Sequence, residues 1–175
     1  MCKVLIEEKL SAVFSNVNDW LKFAEQKNAA LLVLNGGVVW GVTRVLSKVD
    51  ILETISYWSA LIGYILLVCS ALICIISFLP VLDEKWFKPE EIKTTDNCFY
   101  FADIAKYSKS EYLVLLSEKL EMSNYKASPF EIDLSSQVIT NAEIALDKYK
   151  KFKLASNVTV LAVVLFSISI GFHYF

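Results

Sequence analysis

Arginine and histidine are nearly absent from this chain of 175 residues, which contains only Arg44 and His173. Clustered arginines bind phosphate groups in bidentate fashion, so a single arginine argues against that mode of recognition. His173 has no Asp, Glu or Cys near it in the sequence, which excludes a metal site or a catalytic triad built around it. The net charge of −2 gives no overall basic field, so we predict no nucleic-acid partner.

The four cysteines and five glycines form none of the familiar functional motifs. No two cysteines show a CxxC spacing, so neither a zinc site nor a disulfide framework is indicated. The sequence contains no Gly-rich phosphate loop, no nucleophile elbow and no HExxH motif. We therefore predict no catalytic residue, no metal ligand and no cofactor, and we interpret the chain as not being an enzyme.

What the chain has instead is long apolar stretches: 55% of its residues are hydrophobic, and its mean hydropathy is +0.48. The stretches cover residues 29–46, 57–80 and 154–175, and the second and third contain no charged residue. A helix needs roughly 20 apolar residues to cross a hydrocarbon core of about 30 Å. The first stretch is marginal, because Asn35 lies inside it and Arg44 near its end. The sequence predicts an all-α membrane protein with about three transmembrane helices.

The residues ahead of the first and third stretches show the pattern of amphipathic helices that continue into the membrane. Apolar residues recur at spacings of three and four over residues 4–27, and a similar stripe begins near Leu134. We predict four segments, namely a cytoplasmic amphipathic helix (1–28), a two-span transmembrane hairpin (29–80), a cytoplasmic insert (81–133) and a long helix that ends in the third span (134–175).

Inside the predicted insert the pattern is less regular. Residues 110–122 are predicted to be helical, with leucines on one side, and residues 123–129 are predicted to form a turn or loop. Residues 99–107 fit either a short strand or a helical turn. Trp86 and Phe87 follow the second stretch and are predicted to lie at the membrane interface, where aromatic residues are favoured.

Basic residues predict the orientation. Three crossings place residues 1–28 and 81–153 on the same side of the membrane, and these two segments hold 15 of the 17 Lys and Arg residues. Because loops rich in Lys and Arg stay on the cytoplasmic side, we predict a multi-pass protein whose N-terminus and residues 81–153 are cytoplasmic.

Asn35 and three glycines distinguish the first apolar stretch from the other two. Gly37 and Gly41 have the GxxxG spacing that lets two helices approach closely, and Gly36 precedes them. A polar residue such as Asn35 inside a membrane is costly and often functional. Helix packing and gating is the favoured interpretation of these four residues, and a direct role in a pore or ligand site is the alternative.

Two clusters in the polar part of the chain could contact a ligand. Tyr100, Phe101 and Asp103 combine aromatic rings with a carboxylate, which can stack on a nucleobase and hydrogen-bond to it, although such residues more often pack against helices. Lys148 belongs to a lysine cluster just before the third span, where basic residues set topology and contact anionic lipid headgroups.

Three short motifs stand in a fixed order relative to the apolar stretches: AEQKNAALLVLNG at residues 24–36, YFADI at residues 100–104 and QVITNAEIALDKY at residues 137–149. Together they resemble the membrane effectors of the Pycsar anti-phage systems, over roughly residues 15–170. The resemblance implies a bacterial inner-membrane effector that 3′,5′-cyclic CMP or cyclic UMP activates. The membrane then loses integrity, and the infected cell stops growing or dies, which is abortive infection.

The resemblance matches positions without assigning roles to them. From it we take a set of candidate ligand-binding residues, namely Lys27, Tyr100, Phe101, Asp103, Asn141 and Lys148. The favoured hypothesis is a nucleotide-gated, membrane-disrupting effector that acts as a homo-oligomer, because three spans cannot enclose a pore alone. The alternatives lack nucleotide gating: a passive membrane tether or assembly subunit, or a small ion channel.

Overall fold

The computed structural model describes residues 2–47, 54–80 and 91–174, and this part of the chain is helical without any strand. Its helices are α1 (Cys2–Leu46), α2 (Thr54–Ser77), α3 (Phe101–Ile104), α4 (Lys109–Lys119) and α5 (Pro129–Tyr174). The predicted all-α fold is therefore confirmed, and the segment that fitted either a strand or a helical turn contains the short helix α3. The predicted interfacial positions of Trp86 and Phe87 lie outside the described residues.

Three of these helices are long and apolar enough to cross a membrane, namely Ile6–Leu46 in α1, Ile55–Ser77 in α2 and Pro129–Phe172 in α5. Helix α1 has 45 residues and α5 has 46, so each is about twice the length that a crossing requires. The prediction that the first and last spans are parts of longer helices is confirmed. The protein is a membrane protein.

The chain forms two compact units, and both α1 and α5 contribute residues to each. The first, here called the polar unit, comprises Met1–Ala24 and Pro80–Lys148. The second, here called the membrane unit, comprises Glu25–Leu79 and Tyr149–Phe175.

The core of the polar unit is formed by the apolar stripes of its helices. Buried side chains recur at spacings of three and four along α1 and α5, which keeps them on one face of each helix. Helix α4 adds a buried tyrosine, whose hydroxyl donates to the carbonyl of Cys98 at 2.8 Å. The buried apolar residues of these three helices are Ile6, Leu10, Val13, Val17, Ala24, Tyr112, Leu113, Leu116, Val138, Ile139, Ala142 and Ala145.

Helix α5 begins at Pro129, five residues before the predicted start at Leu134. The Glu131 carboxylate accepts a hydrogen bond from the Ser128 backbone N–H, and the Ser128 hydroxyl accepts one from the Glu131 N–H at 3.3 Å. This reciprocal pair is a capping box, and proline is favoured at the first helical position that follows. The predicted turn over residues 123–129 therefore ends in a helix start, which the apolar stripe alone did not reveal.

The membrane unit packs its three helices through small apolar clusters. One cluster joins Leu31, Cys74 and Ala155, and a second joins Leu67, Ala162 and Phe166. Near the second cluster Gly63 lets α2 approach α5, since a Cβ atom there would lie 3.2 Å from the Ala162 carbonyl oxygen and 3.3 Å from the Phe166 ring.

Candidate functional site

Three aromatic rings in tilted contact, here called the aromatic stack, belong to the polar unit, namely those of Trp20, Phe101 and Tyr100. The rings of Trp20 and Phe101 have centroids 5.4 Å apart, and those of Phe101 and Tyr100 are 4.9 Å apart. Phe101 is buried between its neighbours, whereas Tyr100 is 43% exposed. Tyr100 precedes the first residue of α3 in an extended conformation. Of the two rings predicted from the sequence, Tyr100 is therefore the one with area available for a flat ligand.

An ion cluster next to this stack engages the predicted acidic residue. Asp103 accepts hydrogen bonds from Lys106 Nζ at 2.7 Å and from the Asn97 N–H at 3.0 Å. Lys106 also binds the buried Asp96 at 2.9 Å, and the Tyr107 hydroxyl donates to Asp96 at 3.1 Å. Each oxygen of Asp103 thus has a partner within the protein, and its predicted contact with a nucleobase stays a prediction.

The hydrogen bonds and burial in the ion cluster shift the pKa values of three of its residues. Burial alone would raise the pKa of Asp96, but hydrogen bonds from the Lys93 N–H, from Lys106 and from Tyr107 outweigh burial and lower it. Hydrogen bonds to Asp103 and Asp96 raise the pKa of Lys106. Burial and the bond to Asp96 raise the pKa of Tyr107. Asp96, Lys106 and Tyr107 are therefore not poised to exchange a proton near pH 7.

The remaining predicted ligand residues occupy separate positions. Asn141 Nδ2 donates to Asn18 Oδ1 at 2.7 Å, which links α5 to α1, and Lys148 is buried in the same polar unit. Lys27 belongs to the membrane unit, where its Nζ lies 5.5 Å from the ring centroids of both Tyr149 and Phe152. Such cation–π contacts stabilise a lysine at the edge of an apolar region. The predicted residues of the polar unit are thus mostly engaged in contacts within the chain.

A groove of about 650 Å³ lies elsewhere in the polar unit, between the segment at residues 92–94 and helix α4. Two lysines, Lys93 and Lys119, line it together with hydroxyl groups, apolar side chains and two glutamates. Glu111 is one of the glutamates, and it is already engaged in capping α4 through Ser108. None of the ligand residues predicted from the sequence lines this groove.

The membrane unit contains a buried polar ring formed by Asn35, Ser70 and Thr159, with one residue from each of its three helices. Asn35 Nδ2 donates to Ser70 Oγ at 2.9 Å, and Thr159 Oγ1 donates to Asn35 Oδ1 at 2.9 Å. The two hydroxyl oxygens are 2.8 Å apart, so Ser70 closes the ring when it donates to Thr159. Alternatively, Ser70 donates to the Ala155 carbonyl at 2.9 Å.

The three glycines of α1 do not pack against other helices of the chain. A Cβ atom at Gly36, Gly37 or Gly41 would meet nothing within 4 Å. The expectation of close packing at these glycines therefore does not hold within one copy of the described chain, where Gly63 has that role. Gly41 instead lines an apolar groove of about 250 Å³ together with side chains of α5. A contact of this glycine face with a second copy stays a prediction.

Sequence reasoning missed the partners of the residues that it selected. Trp20 completes the aromatic stack, Asn18 pairs with Asn141, and Ser70 and Thr159 complete the polar ring. Ser70 and Thr159 are ordinary small polar residues in apolar helices, and nothing in their local sequence distinguishes them from other serines and threonines there. Among the described residues no group of three or more His, Cys, Asp or Glu side chains is placed to hold a metal ion.

Comparison with known proteins gives one match. The family model of the Pycsar effector protein domain, PycTM, covers residues 9–173 of the chain. No curated protein and no solved structure matches the sequence. The matched region includes the aromatic stack, the ion cluster and the polar ring.

Proposed function

Because the chain belongs to the Pycsar effector family, we propose that it is a membrane effector of bacterial anti-phage defence which a cyclic pyrimidine nucleotide activates. Cyclic CMP or cyclic UMP is the activator, and loss of inner-membrane integrity with abortive infection is the outcome. The observation that carries the proposal is the family match over residues 9–173, which takes in the polar unit and all three apolar helices.

The proposed location is the bacterial inner membrane, with the N-terminus and residues 81–153 in the cytoplasm. The distribution of basic residues supports this orientation, since 15 of 17 fall in residues 1–28 and 81–153. The membrane unit supports it as well. Lys27 and Lys153 mark one edge of its apolar helices, while Arg44 lies about 25 Å further along α1, at 1.5 Å per residue.

The proposed mode of action is a conformational response and not catalysis. The acidic and basic groups of the ion cluster bind one another, which leaves them engaged in structure. A nucleotide can activate the protein only if it binds two states of the polar unit with different affinity. Because α1 and α5 contribute to both units, a change in the polar unit can be passed along these helices. Homo-oligomers would provide enough helices to form a lesion.

Tyr100 is the residue through which we propose that the base is held, because it is 43% exposed and its ring is in tilted contact with the ring of the buried Phe101, with the centroids 4.9 Å apart. Stacking of a base on an aromatic ring contributes about 1–3 kcal/mol. Tyr100→Leu should therefore raise the nucleotide concentration needed for activation by about 5- to 150-fold. Phe99→Leu changes an exposed ring at the neighbouring position and serves as the matched control.

The proposal is tested with purified full-length protein in vesicles loaded with a fluorescent dye. Cyclic CMP or cyclic UMP should release the dye, whereas 5′-CMP and cyclic AMP should not. Dye retained with both cyclic pyrimidines would remove the nucleotide trigger. Equal release with and without nucleotide would exclude gating. A protein that releases no dye under either condition and is harmless when overexpressed would support the passive tether.

A further inference from the structure

The polar ring stands out among the polar groups of the membrane unit by its position. Asn35 lies about 12 Å along α1 from Lys27 and about 14 Å from Arg44, at 1.5 Å per residue, so it occupies the middle of the apolar part of the helix. Asn35 and Ser70 are fully buried, and Thr159 is 4% exposed. The ring therefore connects all three helices at the depth where an unpaired polar group is most costly.

Thr43 and Ser167, two other hydroxyl-bearing residues on these helices, make a different kind of bond, whereas Ser169 of α5 also joins two helices by donating to the Ser56 carbonyl of α2 at 2.7 Å. Thr43 donates to the Val39 carbonyl at 2.8 Å, and Ser167 donates to the Val163 carbonyl at 3.0 Å. Both bonds stay within one helix, and both side chains are exposed. The Thr43 and Ser167 hydroxyls find a hydrogen-bond acceptor in their own helix and do not link one helix to another. They therefore offer matched controls for the residues of the ring.

The outer surface of the membrane unit is apolar at this level. Val33, Val160 and Leu161 are among the large side chains that it exposes, and these suit contact with lipid. The amide and hydroxyl groups of the ring bond to one another. While these bonds hold, the three side chains are buried, and their exposure to water requires the ring to open.

We propose that the polar ring of Asn35, Ser70 and Thr159 holds the three spans in a non-conducting state, and that its opening exposes these side chains to water as the membrane lesion forms. The inference rests on the proposed membrane-disrupting function and adds the contact that restrains it. The ring is a positioning device: it acts by fixing the helices and does not touch the nucleotide.

The first test measures leakage without any nucleotide. Side-chain hydrogen bonds between membrane helices contribute about 0.6 kcal/mol on average and at most about 1.7 kcal/mol. Ser70→Ala or Thr159→Val should thus raise the spontaneous leak of full-length protein in vesicles by about 3- to 20-fold. Ser167→Ala and Thr43→Val should leave it unchanged. Thr159→Ser keeps the hydroxyl and should restore the wild-type rate, which separates loss of the bond from a general packing defect.

The second test reports opening without relying on leakage. Cys74 is buried in the cluster with Leu31 and Ala155, one turn of α2 beyond Ser70. With the other three cysteines replaced by serine, Cys74 in nanodiscs should react slowly with a water-soluble maleimide. Ser70→Ala and Thr159→Val should accelerate this labelling by a similar factor, and the two control substitutions should not.

The outcomes separate this inference from the proposed function. Faster labelling of Cys74 and a raised spontaneous leak support the ring even if neither cyclic nucleotide activates the wild-type protein. Faster labelling without leakage in any variant supports the ring and contradicts membrane disruption. Unchanged labelling and leakage in Ser70→Ala and Thr159→Val proteins that are helical and folded would overturn the inference. A reduced nucleotide-dependent leak in these variants, with an unchanged spontaneous leak, would overturn it as well.

Discussion

Asp103 illustrates how far a residue can be interpreted from its neighbours in sequence. Its place beside Tyr100 and Phe101 suggests a group that hydrogen-bonds a base, which stays a prediction, and the structure adds that its two oxygens accept from Lys106 and Asn97. Lys106 is only three residues away, and a pairing of charges at that spacing is common on helices. The third member, Asp96, could not be predicted because it lies in a loop whose path depends on tertiary packing.

Lys106 should be required for the stability of the polar unit. Lys106→Met removes the cation from Asp96, whose side chain is 3% exposed, and leaving a buried charge without its partner costs about 3 kcal/mol. For a chain of this length the expected loss in unfolding temperature is about 5–10 °C. Thermal unfolding of the full-length protein in detergent measures it, and Lys109→Met, which removes an exposed lysine of α4, should leave the temperature unchanged.

The difference in stability between the wild type and Lys106→Met depends on pH, and the sign of that dependence follows from the pKa of Asp96. Since the pKa of Asp96 is lowered in the folded protein, its contribution to stability is complete above the usual carboxyl pKa of about 3.9 and is lost as the pH falls through the lowered value. The difference between wild type and Lys106→Met should therefore be constant near neutral pH. It should begin to shrink where the unpaired, buried Asp96 of the variant takes up a proton, and disappear only when the pH falls through the lowered pKa of Asp96 in the wild type. A difference that already disappears at pH 6 would contradict the assigned role of Asp96.

At the scale of the element, the start of α5 shows why the sequence predicted spans better than helix ends. The three apolar stretches were visible because each extends over many residues of one character. The start at Pro129 depends instead on Ser128 and Glu131, which are three residues apart. These two residues lie in a polar segment, where they do not stand out from their neighbours. The spacing was present in the sequence as a helix-start signature, so this miss was avoidable, unlike the tertiary pairing of Asn35 with Ser70 and Thr159.

Glu131 should fix the first turn of α5. It is fully buried, and its carboxylate accepts from the Ser128 N–H and, at 3.0 Å, from the Tyr125 hydroxyl. Glu131→Ala should cost about 1–3 kcal/mol locally, because both donors then lack an acceptor. Hydrogen exchange should accelerate at residues 130–133 and stay slow near Val138. Glu111→Ala, at the exposed capping box of α4, should have a smaller effect on its own helix.

At the scale of the whole molecule, the glycine face of α1 has two positions without a close contact among the described residues. Gly36 and Gly37 are exposed, and a Cβ atom at either position would meet nothing within 4 Å. Trp40, on the same helix, is 69% exposed, and the groove beside Gly41 offers about 250 Å³ of apolar space. A homo-oligomer would bring a second helix onto this surface at the close distance that glycine permits.

Gly37→Leu separates assembly from folding, because Gly37 is exposed in the single chain. Because a Cβ atom at Gly37 would meet nothing within 4 Å among the described residues, the monomer should keep its helix content and thermal stability. The fraction of oligomers in nanodiscs should fall together with nucleotide-dependent leakage. Val160→Leu enlarges a lipid-facing residue of α5 and should change neither. Single-molecule photobleaching counts the subunits. An unchanged oligomer distribution in Gly37→Leu would assign assembly to another surface, since a leucine between two α1 helices would prevent the approach that the glycine spacing allows.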